Sequence, residues 1–197
     1  AELAAEITCL LALSAIKNQD KIGLILFSDR IEKCIPPRKG RTAAMRLVRE
    51  VLAAEETRHG TDIAAALRFL NSVQKRRAVV FLVSDFMDRD FERELRTTSK
   101  RHDIICCPVQ DPVELALPPA GLLEVQDPET GELVLLDSSS RKVRDAYAAR
   151  AAGEQRRLRE LFRKLNIDSI QLDTTRPFVD DVHKLFRRRQ QVRSGRG

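Results

Sequence analysis

Short apolar runs alternate along the chain with longer segments in which apolar residues recur at helical spacing. The clearest run is Ala78 to Val83, where six apolar residues in succession stand between charged flanks. A run of this kind is typical of a strand that is buried on both faces of a sheet. Similar patterns predict strands at 20–27, 31–35, 102–109 and 167–172, and helices at 1–15, 42–52, 61–73, 91–100, 141–166 and from 177 onward.

This order of elements predicts an α/β fold, a doubly wound and mostly parallel sheet with helices on both faces. We expect the strand at 78–83 to lie in the middle of the sheet. The strand at 31–35 follows its predecessor after a short turn, which predicts an antiparallel edge. Two apolar runs, 122–126 and 133–136, flank turn-forming residues and predict a small added hairpin. We expect residues 1–186 to form one domain.

Two positions at predicted element ends carry candidate chemistry. Ser84 and Asp85 end the strand at 78–83, and ligands of open α/β sheets bind beyond the carboxyl ends of the strands. Asp85 is therefore either a binding residue or a cap for the turn into the helix near residue 90. Thr61 begins another helix, where the pattern alone favours a cap over a hard oxygen ligand for a divalent cation.

The charge of the chain is concentrated at its C-terminal end. The net charge is +6, and residues 187–197 hold five arginines and no acidic residue, so the rest is close to neutral. We expect 187–197 to be a basic, disordered tail. An alternative function is nucleic-acid binding through this tail, helped by four arginines of the predicted long helix, Arg156, Arg157, Arg159 and Arg163. A near-neutral body with one tyrosine offers little stacking surface, so a nucleic-acid partner is not our expectation.

The remaining reactive side chains indicate no enzyme. Cys106 and Cys107 lie in an apolar run and are expected to be buried free thiols, which suits a reducing cytoplasm. The sequence contains no C-x-x-C motif, so we expect no zinc site. His102 is expected to be a surface or turn residue. A hydrolase that uses Asp85 with Thr61 is a lesser alternative, because no nucleophile motif accompanies them. No apolar run reaches the roughly 18 residues of a membrane helix, so we expect a soluble chain without membrane contact.

Six short motifs together resemble a known bacterial family. In chain order they are Gly23-Leu24-Ile25-Leu26-Phe27-Ser28, Pro36-Pro37-Arg38-Lys39-Gly40, Gly60-Thr61-Asp62, Ser84-Asp85-Phe86, Asp111-Pro112-Val113-Glu114 and Asp127-Pro128-Glu129-Thr130-Gly131-Glu132. This combination is similar to the family catalogued as domain of unknown function 58, and the likeness spans nearly the whole chain. Each motif is weak alone, and their shared order carries the resemblance.

The resemblance implies a fold of the von Willebrand factor A type with a metal-ion-dependent adhesion site. Such a site uses D-x-S-x-S after the first strand, a threonine and a later aspartate. Thr61 matches the threonine position and Asp85 the aspartate position, with magnesium or another divalent cation as the implied cofactor of the complete protein. The chain contains no D-x-S-x-S, and segment 137–141 departs from it because Arg141 replaces the last serine. We therefore expect no bound metal in this fragment.

The resemblance also implies a missing element and a function. The chain starts without methionine inside a helical pattern, and in the family the absent motif and the first strand precede that helix. That strand would lie between the strands at 22–27 and 79–83. We expect the gap to be filled by a strand upstream of this sequence. The second choice is a strand from a neighbouring molecule, and the third is direct pairing of the two strands. The implied function is that of a non-catalytic, cytoplasmic interaction module, which acts as an adaptor or co-chaperone of a MoxR-type AAA+ ATPase. The module would bind an acidic side chain of its partner through the cation. No small-molecule substrate is expected.

Overall fold

The structure is a computed structural model that describes residues 2–54, 60–88, 90–110, 117–126, 133–173 and 178–194. Its helices are α1 (Glu2–Asn18), α2 (Arg41–Leu52), α3 (Ile63–Val73), α4 (Glu92–Arg101), α5 (Arg141–Lys164) and α6 (Val179–Ser194). Its strands are β1 (Ile22–Phe27), β2 (Ile31–Arg38), β3 (Val79–Ser84), β4 (Asp103–Gln110), β5 (Leu122–Gln126), β6 (Leu133–Asp137), β7 (Asp168–Ser169) and β8 (Leu172–Asp173). Among these residues, no helix is both long and apolar enough to cross a membrane.

Strand β4 lies in the middle of the parallel sheet. It pairs with β3 on one side and with β7 and β8 on the other, always in parallel. Residues 104–108 are all buried, whereas Val79 at the start of β3 is 52% exposed. Among the described residues, β4 and not the strand predicted at 78–83 is therefore the middle strand of this sheet. Strand β3 has an apolar sequence, but among the described residues no strand pairs with its second edge.

Helices cover both faces of this sheet, as the sequence pattern predicts. Alternate residues of β4 point to opposite faces, as successive side chains of a strand must. On one face Cys106 packs in a cluster with residues of α3, α4 and α5, including Leu67, Leu95 and Phe162. On the other face Ile105 packs in a cluster that includes Ile7 of α1 and Val182 of α6. The mixed α/β architecture with a mostly parallel sheet is thereby confirmed.

Strands β1 and β2 form a separate antiparallel pair. Their register runs from Ile22 opposite Arg38 to Phe27 opposite Ile31. The predicted antiparallel edge is confirmed, but β2 continues three residues past Ile35 through two prolines. An edge strand tolerates proline because the missing N–H group can face away from the ladder.

The two sheets share helices but, in the part of the chain that the structure describes, no strand pairing. Phe27 of β1 packs against the same cluster as Leu82 of β3. Helix α1 contacts both regions, since Ile7 packs on the parallel sheet and Ala12 packs with Ile22 of β1. Direct pairing of β1 with β3, which we ranked last, is not observed in these residues. The expectation of an upstream or neighbouring strand between them stays a prediction.

The predicted hairpin is confirmed, because β5 and β6 pair in antiparallel register. Its predicted turn at 127–132, like the motif at 111–114, lies outside the described residues. Buried Ser138 ties the hairpin together, since its hydroxyl donates to Gly121 O at 2.7 Å and accepts from Ala120 N at 3.0 Å.

The C-terminal helix extends into the predicted tail. Helix α6 ends at Ser194, so the expectation of disorder is wrong for residues 187–194. Arg189 donates two hydrogen bonds to Asp103, at 2.9 and 3.0 Å, and a third to Asp168 at 2.7 Å. These acids open β4 and β7, so the arginine joins α6 to the amino-terminal edge of the sheet.

Candidate functional site

Three loops meet at the carboxyl ends of β1 and β3. They are residues 28–30 after β1, 60–62 before α3 and 84–88 after β3. The backbone N–H of Asp62 donates to Ser28 O at 2.8 Å. The N–H of Ile63 donates to Asp88 Oδ2 at 2.8 Å. The loop before α3 is thus bonded to both of the others, which brings the regions of Thr61 and Asp85 together at one edge.

Asp62, not Thr61, caps helix α3. Asp62 Oδ1 accepts a hydrogen bond from Ala65 N at 2.6 Å, which satisfies an N–H group that has no partner inside the helix. Asp88 supplies a second carboxylate to the same helix start through Ile63 N. The cap role that the pattern favoured for Thr61 is therefore wrong. Thr61 is half-buried, and its hydroxyl is not required for the start of the helix.

Asp85 shapes its own loop and does not cap the next helix. Its Oδ1 accepts from Met87 N at 3.1 Å and lies 3.3 Å from Ser84 Oγ, an arrangement that closes a tight turn. Phe86 in this turn has a φ of 58° and is buried against other aromatic rings of the core. Helix α4 begins at Glu92 without a side-chain cap. Asp85 therefore caps the turn that leads toward α4, as the capping alternative predicted, but not the helix itself, and its side chain remains exposed at the edge.

The loop after β1 repeats the Ser-Asp pair that ends β3. Buried Ser28 has its hydroxyl 2.7 Å from Glu32 Oε1 and 3.0 Å from Asp29 Oδ1. The hydrogen bond from the Ser28 hydroxyl holds the pKa of Glu32 below its ordinary value. Partial burial of the carboxylate raises this pKa, and the nearby Arg30 lowers it further. The carboxylate is therefore ionised at neutral pH. This edge carries a cluster of hydroxyl and carboxylate oxygens.

Sequence reasoning missed Ser28, Asp62 and Asp88 as members of this edge. One signal could have found the first, because Phe27-Ser28-Asp29 and Val83-Ser84-Asp85 end two apolar runs in the same way. No local signal marks Asp88, whose bond to Ile63 spans 25 residues.

The oxygen atoms at this edge are of the kind that a hard divalent cation binds, but among the described residues too few acidic side chains come together to hold one. Magnesium prefers oxygen ligands in octahedral geometry, and Thr61 and Asp85 offer such oxygens. Within the described ranges, no group of three or more His, Cys, Asp or Glu residues could hold a metal ion. Asp62 and Asp88 are each engaged by backbone N–H groups of α3. The described residues therefore do not form a complete metal site.

The reactive side chains of β4 lie away from this edge. His102 immediately precedes β4, at the opposite end of the sheet, and forms the bend between α4 and β4. The turn alternative is therefore confirmed, whereas the surface alternative is wrong because the residue is 1% exposed. Burial, followed by the charges of Arg101 and Arg77, lowers the pKa of His102. Burial raises the pKa of Cys107 to about 12, and that of Cys106 rises for the same reason. The prediction of buried free thiols is confirmed.

A parallel sheet covered by helices on both faces, with polar loops gathered at its carboxyl edge, defines the α/β class of open-sheet proteins. The chain belongs to the family described as Protein of unknown function DUF58, whose model matches residues 1–157.

Relatives of the chain occur in mycobacteria. Uncharacterized proteins of Mycobacterium bovis and of Mycobacterium tuberculosis strain H37Rv are each 26% identical to it over 166 residues, which cover 83% of this chain and 52% of theirs. The chain thus spans about half the length of these relatives. An uncharacterized protein of Mycobacterium avium is 27% identical over 159 residues, which cover 79% of this chain and 94% of that one.

One solved structure resembles the chain at low identity. It is the crystal structure of the conserved hypothetical protein BatB from Bacteroides thetaiotaomicron, with 14% sequence identity and a TM-score of 0.48. The match covers 86% of this chain and 80% of that one.

Proposed function

We propose that the protein is a non-catalytic interaction module whose carboxyl loop edge, residues 28–30, 60–62 and 84–88, binds a protein partner. The observation that carries this proposal is the pair of hydrogen bonds, Asp62 N to Ser28 O and Ile63 N to Asp88 Oδ2, that holds three oxygen-rich loops together. These loops contain no histidine, cysteine or lysine, and no nucleophile motif accompanies their hydroxyl groups.

In this proposal the edge acts through a divalent cation. Thr61 and Asp85 would hold the ion together with oxygen ligands from outside the described residues, and a partner's carboxylate would take an open position. Asp85 suits the role because the turn to Met87 fixes one of its oxygens while the side chain stays exposed. The cation, when bound, supplies a fixed positive charge for that carboxylate.

The proposed partner is a MoxR-type AAA+ ATPase, with the protein as its adaptor or co-chaperone. This part of the proposal rests on what the resemblance of the six motifs to the domain of unknown function 58 family implies. The proposed compartment is the cytoplasm, where the four free cysteines would stay reduced.

The cation step can be tested by titrating magnesium into the full-length protein by isothermal calorimetry. We expect saturable binding that Thr61→Ala and Asp85→Ala each weaken by about tenfold or more, the effect of losing a ligand or an orienting group. Asp20→Ala is the matched control, because Asp20 is exposed and precedes β1 at the opposite end. Absence of magnesium binding by the full-length protein would overturn the cation step.

The partner step needs a separate measurement, because a AAA+ ATPase itself requires magnesium and chelation would disable both proteins. Binding of the purified ATPase should therefore be compared between wild type, Asp85→Ala and Asp20→Ala at constant magnesium. We expect only Asp85→Ala to lose binding. Equal binding by all three variants would reject this edge as the docking surface.

The structure weighs against nucleic-acid binding through the basic tail. Arg189 is committed to Asp103 and Asp168, and Arg188 lies 3.7 Å from Asp168. Two of the five arginines are thus paired with acids of the sheet. If the tail did bind nucleic acid, its removal would abolish salt-dependent binding to oligonucleotides.

A further inference from the structure

A groove separates the end of β2 from the first turns of α2. It has a volume of about 350 Å³, and its apolar lining comes from Ile35, Pro36, Ala43 and Leu47. Ile35 and Leu47 are buried and belong to the core, so the floor is held in place by the fold. The volume is at the lower end of the range for ligand pockets, which suits one or two side chains.

The rim of this groove is strongly basic. Arg38, Lys39 and Arg46 line it together with Thr42, and all four are exposed. Within the described ranges Arg38 and Lys39 form no ion pair, and Arg46, whose side chain is 63% exposed, has only a long contact of 3.8 Å with the partly buried Glu50. The rim cations are therefore available to an external anion.

The surrounding sequence concentrates this charge further. Residues 33–49 contain six lysines and arginines and no acidic residue, in a chain whose charge outside 187–197 is close to neutral. One of the six, Lys33, pairs with Glu50 just beyond this range, which leaves five. Helix α2 starts here at Gly40 with neither a side-chain cap nor an acidic residue in its first turn, which leaves the positive end of its dipole uncompensated. The groove thus combines an apolar floor with a positive rim.

We propose that this groove binds an acidic peptide segment of a partner protein, with an apolar side chain on the floor and carboxylates at Arg38, Lys39 and Arg46. Charge complementarity selects the acidic sequence, and the apolar floor favours a peptide, because no aromatic ring lines the groove on which a base could stack. The register pairs Arg38 with Ile22, at the end of β1 away from the candidate site. The groove is therefore separate from Thr61 and Asp85, and this proposal does not depend on the proposed function.

The test is fluorescence anisotropy with a fluorescein-labelled octapeptide of seven acidic residues around a central leucine, at about 0.15 M ionic strength. We expect the double variant Arg38→Ala/Lys39→Ala to weaken binding by about tenfold or more, because it removes two of the three rim cations. The matched control is Arg156→Ala/Arg159→Ala, which removes the same charge from exposed positions on α5 and should leave affinity within about twofold. Thermal melts of both double variants establish that they fold.

Two further probes test the floor and the class of ligand. An octapeptide with glycine in place of the leucine should bind more weakly, and Ala43→Phe, which fills the groove, should weaken the leucine peptide while the rim charges remain. Equal loss in both double variants, or equal affinity for the two peptides, would overturn the proposal, because either result means non-specific charge attraction. Tighter binding of a single-stranded oligonucleotide, lost on Arg38→Ala/Lys39→Ala, would overturn it in favour of a nucleic acid.

Discussion

Gly23 of β1 lies against the backbone of β2. A Cβ atom at this position would stand 2.9 Å from Ile35 O and 3.0 Å from Pro37 N, both backbone atoms that cannot swing away. We expect Gly23→Ala to lower the free energy of unfolding by about 1–3 kcal/mol, the usual cost of overpacking. Gly153 inside α5 is the control, because its Cβ would meet nothing within 4 Å. Gly153→Ala should stabilise by about 0.5–1 kcal/mol in the same urea denaturation experiment. If Gly23→Ala and Gly153→Ala destabilised the protein equally, the close approach at Gly23 would not be the cause.

His102 makes stability depend on pH. Both of its buried ring nitrogens lack a hydrogen-bond partner among the described residues, and burial lowers its folded pKa below the ordinary 6.5. The unfolded chain therefore binds the proton more readily. The part of the folding free energy that depends on neutral His102 is fully present above about pH 6.5, and it is lost as the pH falls through the lowered folded pKa.

The corresponding variant is His102→Leu, which carries no titratable group. Urea denaturation at about pH 7.5 and about pH 5.5 should show a smaller loss of stability on acidification for the variant than for wild type. Arg77 and Arg101, the cations that act on the imidazole, are retained in both proteins. An identical pH dependence would mean that His102 accepts its proton as easily in the fold as in the unfolded chain.

The start of α3 illustrates how far residue-level reasoning reached. The apolar spacing after Thr61 correctly predicts where the helix begins, because that signal is local. The choice between Thr61 and Asp62 as the cap depends on a backbone conformation that two adjacent capping residues do not reveal. The bond from Ile63 to Asp88 depends on the tertiary fold. The loops of the candidate site were therefore predictable only in part.

Strand β3 differs in burial along its length, which gives a matched pair of substitutions. Leu82 is 5% exposed in the cluster with α3 and α4, and Val79 of the same strand is 52% exposed. We expect Leu82→Asn to cost about 3 kcal/mol or more, because it buries an amide without a partner. Val79→Asn should change stability by less than about 1 kcal/mol. Chemical denaturation followed by circular dichroism measures both, and similar costs would show that the packing of β3 is misassigned.

Helix α6 is joined to the sheet by Arg189, whose side chain is 23% exposed. Arg189→Ala should destabilise the protein by about 1–3 kcal/mol, because Asp103 and Asp168 lose a shared donor. Arg187→Ala, at an exposed position of the same helix, should have little effect. Thermal melts distinguish the two, and the difference should shrink at high salt. If the Arg189→Ala protein were as stable as the Arg187→Ala protein, Arg189 would not be what attaches α6 to the sheet.

Elements were predicted better than their neighbours in the sheet. Apolar runs locate β3 and β4, but both runs look equally buried, and only the pairing of β4 with strands on both sides makes it the middle strand. Similarly, the apolar spacing of the last helix ends at Phe186, and the partners that hold residues 187–194 in place lie 21 and 86 residues away from Arg189. Such contacts leave no periodic signal in a single sequence.

On the scale of the whole molecule, alternation of strands and helices was sufficient to predict the α/β class, because crossover connections allow few topologies. The order of six motifs was sufficient to indicate the family that the match over residues 1–157 establishes. The relation between β1 and β3 could not be obtained in this way, since pairing across an open edge depends on backbone groups and not on side-chain pattern.

The absence of strand pairing between β1 and β3 in the described residues bears on how the native state opens. Without a shared ladder, the two sheets are coupled by side-chain packing, through α1 and through Phe27 in the cluster with Leu82, and by the loop hydrogen bond from Asp62 N to Ser28 O. We expect native-state hydrogen exchange to resolve two cooperative units, with amides of β1 and β2 released by sub-global opening and those of β4 exchanging only through global unfolding. Mass spectrometry of peptides covering 22–38 and 103–110 would measure the two opening free energies. Equal values would mean that these contacts are sufficient to make the molecule a single cooperative unit.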